Sequence, residues 1–165
     1  MDNNALKTEI IEMLEDNAQR SAADMAAMTG ATEAEVKAAV AQLEADKTIV
    51  KYAAIVNHEK VEAEATEALI EVKVVPKRGQ GYDDLAERIS GFSEVKSVYL
   101  MSGSYDLSVV VRTQTMQQVS HFVYEKLAVL EGVSSTVTHF ITHKYKEQGV
   151  VLAVAEHEDR LVISP

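Results

Sequence analysis

The chain has 165 residues, of which 47% are hydrophobic, no cysteine, and a formal net charge of −10. That length suits one domain or two small ones, and no run approaches the ~20 apolar residues of a membrane span. The missing cysteine excludes disulfides and thiolate metal sites, and the acidic charge argues against loose electrostatic binding to nucleic acid.

The first residues, MDNNALKTE, read as neither a secretory signal nor a transit peptide, so a cytoplasmic protein is expected. Residues 1–60 carry 11 acidic and 6 basic side chains, and residues 61–165 carry 15 and 10, so each part has a net charge of −5. Neither part is the basic one.

Leu6, Ile10, Met13 and Leu14 fall on one face of a first helix, which the polar run 16–20 ends. Ser21 is a good N-cap for a second helix, with Asp24 in the capping-box position and Met25 and Met28 facing inward. Gly30 can take the left-handed conformation that closes it. Thr32-Glu33-Ala34-Glu35 is a full capping box for a third helix, with Val36, Val40 and Leu43 inward. Helix, tight glycine turn and capped helix form the outline of a helix-turn-helix. Residues 49–56 read as extended, the β wing of a winged helix. The first domain is therefore expected over 1–56, with a polar linker over 57–65.

Residues 66–150 repeat one arrangement twice. A strand over 68–75 stops at Pro76; a loop and a helix with Leu85 and Ile89 inward lead to a strand over 95–101. A strand over 107–112 then leads to a helix capped by Thr115 and carrying Val119, Phe122, Val123, Leu127 and Leu130. Gly132 ends that helix before a strand over 133–143. The fold class is α+β, and the order βαββαβ is the ferredoxin-like split unit. Such a sheet has helices on one face, and a partner chain is the usual cover for the other. Residues 151–165 are expected to add a short strand beginning near Val150, then a tail, loosely held unless Leu161-Val162-Ile163 docks on a neighbour.

Within that domain, residues 95–112 form a hairpin whose polar tip, Ser102-Gly103-Ser104-Tyr105-Asp106, carries turn chemistry. A tip held by a rigid sheet is a candidate ligand site; a solvated turn fits the same pattern. His139 and His143 would bind one metal ion if helical, but four strand residues span ~13 Å, so no metal site is expected. The loop over 77–81 lacks the order of a phosphate-binding motif, and no nucleophile elbow occurs. Neither an enzyme nor a cofactor is indicated.

Two stretches together resemble the Lrp/AsnC family of transcription regulators. One runs from Gly30-Ala31-Thr32-Glu33 through Leu43-Glu44 to Ile49-Val50-Lys51-Tyr52. The other is Val98 to Leu107, where Gly103 is followed three residues later by Asp106. The resemblance covers about residues 4–150. It implies DNA as partner, homodimers that assemble further, up to octamers, and a small effector, usually an amino acid, bound near the hairpin at a subunit interface. Carried over, the effector loop is Met101, Ser102, Gly103, Ser104, Tyr105 and Asp106, with Thr136, Thr138 and His139 as a neighbouring wall. Backbone N–H groups around Gly103 suit a carboxylate, and Asp106 suits an ammonium or caps its own turn.

The recognition helix departs from the family's basic pattern. Lys37 is its one base, and Glu33 and Glu35 stand at its entrance. Glutamate accepts from cytosine N4, so Glu33 remains a candidate reader. Arg20, Lys47 and Lys51 are candidate phosphate contacts, with Thr32 and Gln42 as neutral donors. The expectation is DNA binding that is weak and steep in salt. The rival reading is an amino-acid-sensing oligomer whose helix-turn-helix does not touch DNA directly. An enzyme on the ferredoxin-like sheet is a third.

Overall fold

The computed structural model describes residues 3–61, 65–75 and 81–152. The chain divides into two compact units, Met1–Ile55 and Val56–Pro165.

In the N-terminal unit, α1 spans Asn3–Asp16, α2 Ala22–Thr29 and α3 Glu33–Ala45. Ser21 caps α2 by accepting the Asp24 N–H, and Gly30, at φ 72°, closes it in the left-handed region. Thr32 and Glu35 make the reciprocal capping box at α3. Leu6, Ile10, Met25, Ala26, Val36, Ala39 and Leu43 form the core. Met28 is not among them, being 60% exposed. Around the helix, Ala26 and Thr29 lie to one side of Met25 and Met28 lies to the other, so an eight-residue helix cannot bury all four.

The expected wing is also corrected. Residues 50–56 form no strand, and Val50, Tyr52, Ile55 and Val56 are exposed. A strand exists through its ladder, and no other described segment pairs with this one. Tyr52 is held by its hydroxyl donating to Glu44 at 3.0 Å.

In the C-terminal unit, β1 (Thr66–Val74), α4 (Tyr82–Ser90), β2 (Val95–Leu100), β3 (Leu107–Thr113), α5 (Met116–Phe122) and β4 (Val133–Ile141) follow in order. All pairings are antiparallel, and the sheet order β2-β3-β1-β4 is ferredoxin-like. Period-two alternation sends Ala68, Ile70 and Val72, with Leu107, Val109 and Val111, toward Leu85, Ile89, Val119, Phe122 and Leu127. The opposite face carries Leu69, Val110 and Val137, paired across the strands with Glu67, Glu71, Arg112 and His139 around them.

Three irregularities were not expected, one of them a slip in the β1–β4 register between Lys73 and Val74 that leaves Ser134 out of the ladder. The β2–β3 register slips between Val95 and Ser97, leaving Lys96 as a β-bulge. After α5 the chain widens into a π turn over Val123–Leu127, with the Ala128 N–H donating to Val123 O at 2.7 Å. The late strand is a two-residue arm: β5 (Lys146–Glu147) pairs with β6 (Val150–Val151) around Gln148 and Gly149, both at positive φ. The expected loop residues 77–80 and the tail from 153 onward lie outside the described residues. No helix among the described residues is long and apolar enough to cross a membrane.

Candidate functional site

The outer surface of α3 begins at its cap. Thr32 is occupied there: its hydroxyl donates to Glu35 at 2.7 Å and accepts the Glu35 N–H. Those bonds, the Thr32 backbone N–H first, hold the Glu35 carboxyl below its usual range. Lys37 pairs with Glu33 one turn away, both exposed. Gln42 is exposed farther along, and Ala34, Ala38, Ala41 and Ala45 fill the rest of that surface. Arg20 lies back on its own unit, bonding Asp16 at 2.7 Å and the Met28 sulfur at 3.1 Å. Lys47, at φ 65°, and Lys51 are exposed and in no ion pair among the described residues. Of the seven residues read as DNA contacts, then, only Gln42, Lys47 and Lys51 present unengaged side chains.

At the hairpin tip, Met101, Ser102, Gly103 and Ser104 are exposed, and Tyr105 and Asp106 are half-buried. Met101 N–H donates to Asp106 O at 2.8 Å, which closes the tip. Among the described residues, the N–H groups from Ser102 to Tyr105 make no bond within the chain. Asp106 is engaged by the fold. Its backbone N–H donates to Val72 O, and its carboxylate accepts from Val74 N–H at 2.7 Å and the Tyr82 hydroxyl at 3.4 Å. The carboxylate thus pins the end of β1 rather than capping its own turn.

The neighbouring wall does not assemble as expected. Thr136 and Thr138 stand opposite Val72 and Ile70, on the helix side of the sheet, whereas His139 stands opposite Leu69 on the other face. His139 there meets Glu71 at 3.2 Å. Strand alternation separates the three.

Two features were missed by sequence reasoning. On the face away from the helices, Glu67 receives Arg112 at 2.9 Å and Lys144 at 2.6 Å, and Lys144 also reaches Glu147. Burial opposes the charge on Glu67, but the bonds from Lys144 and Arg112 outweigh it and hold the carboxyl below its ordinary 4.5. A depressed carboxyl stabilises the fold above its unfolded value and loses that contribution as pH falls through the folded value. Thermal melts are therefore expected to weaken as pH falls below about 4.5. Glu67→Gln is expected to cost ~2 kcal/mol at neutral pH and to flatten that acid limb. An unchanged acid limb would contradict this.

The second is a cavity of about 610 Å³ at the end of the sheet away from the tip. Lys96, Arg112, Gln118, His121, Glu125 and Lys126 are among its lining residues. Lys126 bonds Glu94 and holds that carboxyl below its usual range. The residues come from four separate segments, so no sequence motif announces them.

Comparison with known proteins accounts for the combination. The family model of the Lrp/AsnC ligand binding domain matches residues 67–151. The uncharacterized HTH-type transcriptional regulator YugG of Bacillus subtilis (strain 168) is 48% identical over 160 residues, covering 96% of each chain. Among solved structures, LrpA of Mycobacterium tuberculosis superposes with a TM-score of 0.74 at 18% identity, over 90% of this chain and 98% of that one. The transcriptional regulator NMB0573 of Neisseria meningitidis, solved as an L-Met complex, gives 0.68 at 22%, over 86% and 91%. At those identities the structural likeness concerns the fold; the family model and YugG carry the assignment. The chain belongs to the Lrp/AsnC family of HTH-type transcriptional regulators.

Proposed function

We propose that the N-terminal unit reads DNA through α3 and that the C-terminal unit senses a small effector, an amino acid being the class. The protein works in the cytoplasm as a homodimer able to assemble further, up to octamers. The observation carrying the reading is the capped α2–Gly30–α3 turn in one chain with a ligand binding domain of this family. Four alanines make the outer surface of α3 slim, which suits close entry into the major groove and apolar contact with thymine methyls. Gln42 supplies a donor and acceptor for adenine. The unbonded N–H groups at the hairpin tip suit a carboxylate, and the L-Met complex of the Neisseria regulator supports an amino acid. Leu69, Val110 and Val137 on the sheet face away from the helices suit burial against a second copy.

Salt dependence separates this reading from its rival. Lys37 is tied to Glu33 and Arg20 to Asp16, so few cations remain for phosphates. A small number of phosphate contacts gives weak binding with a gentle slope, not the steep one expected from the candidate phosphate contacts in the sequence. The test is fluorescence anisotropy against the DNA upstream of the protein's own coding region, with and without a panel of amino acids. Preference for that DNA over a scrambled duplex, shifted by one or more amino acids, is the expected result. Amino-acid binding without any DNA preference would favour the sensing oligomer that does not touch DNA directly.

A further inference from the structure

The cavity at the far end of the sheet is bordered by two of the three backbone irregularities described in the C-terminal unit. Lys96 is the bulged residue of β2, and Glu125 and Lys126 lie in the π turn after α5. A bulge breaks a ladder and re-aims a side chain; a π turn gives up regular helix geometry. Both are disfavoured by backbone energetics alone, and both deliver charged residues to one space. Such irregularities concentrate at functional sites.

The chemistry of the walls is specific. Three fixed cations, Lys96, Arg112 and Lys126, face two carboxylates, Glu94 and Glu125, so the lining is net positive in a chain of net −10. Glu94 is occupied by Lys126, Glu125 by His121 at 2.8 Å, and Arg112 is turned to Glu67. Lys96 is in no ion pair among the described residues. Gln118 accepts the Gln114 N–H with its side-chain oxygen at 2.9 Å, which leaves its NH₂ as a fixed donor. Phe122 supplies an apolar wall. At about 610 Å³ the space exceeds what a free amino acid needs and lies in the range of sites for larger metabolites.

We propose that this cavity is a second ligand site, separate from the hairpin tip, for a small organic anion bearing more than one acidic group. Lys96 is the principal charge contact, and the Gln118 amide fixes orientation. The acidic groups are carboxylates or phosphates, which share the need for cationic and N–H donors.

Full-length protein is titrated with citrate and, separately, ADP at constant ionic strength. Binding is followed by calorimetry and by backbone amide shifts. Saturable binding of one probe is expected, with shifts clustered at Lys96, Gln118 and Lys126; the responding probe identifies the acid type. Lys96→Gln is expected to weaken it about tenfold or more, and Gln118→Ala by a smaller factor. Both positions are exposed, so neither change disturbs the core. Absence of saturable binding below about 10 mM for both probes would overturn the proposal. So would affinity unchanged in both variants, or shifts confined to residues 101–106. The readout needs no DNA, so its failure is distinct from failure of the DNA-reading proposal.

Discussion

Ile70→Ala is expected to lower the stability of the C-terminal unit by about 3–4 kcal/mol. Ile70 is fully buried in β1, an inner strand, flanked by Val109 and Thr138 and covered by the helices. Truncation removes three carbons' worth of burial and leaves a void that strands tied on both sides cannot collapse to fill. In urea titrations the midpoint falls while the slope stays close to wild type. A loss below about 1 kcal/mol would mean that the sheet and its helices are not packed as described.

Asp106→Ala is the second large effect, expected to cost about 2–3 kcal/mol. The substitution strands the Val74 N–H, now bonded at 2.7 Å, and removes the partner of the Tyr82 hydroxyl. Asp106→Asn keeps an acceptor for Val74 and is expected to lose less than half as much. Amide exchange at Val74 reports the difference directly: fast in the alanine variant, near wild type in the asparagine variant. If Asp106 only faced a ligand, the free protein would melt at the wild-type temperature in both.

Local chemistry made much of the fold legible. Thr32 with Glu35, Ser21 with Asp24, and Gly30 all act within four residues of the backbone groups they satisfy, so spacing alone revealed α2 and α3. The order βαββαβ followed from alternating apolar periods and turn residues. Met28 was misplaced because a short helix has a narrow inner face. The wing was misplaced because β-branched composition describes what a strand tolerates, not what it pairs with.

The site was less legible, for a different reason. Parity along β4 separates His139 from Thr136 and Thr138, but its consequence depends on which face the helices cover. Asp106 reads equally well as ligand contact or backbone anchor until β1 is beside it. The Lys96 bulge and the π turn leave no residue-type signature, since Ser97 and Leu127 pattern as an ordinary strand and helix would. Glu67, Arg112 and Lys144 are distant in sequence and meet only through register.

The salt series of the DNA titration bears most directly on the reading of this chain as a regulator with an acidic head. Anisotropy is recorded on the upstream duplex and its scrambled control from low to moderate salt. With Lys47 and Lys51 free on each of two heads, a preference for the upstream duplex is expected, with a log–log slope of about −4. Equal affinity for both duplexes at every salt concentration, or a slope of about −8 or steeper, would contradict it.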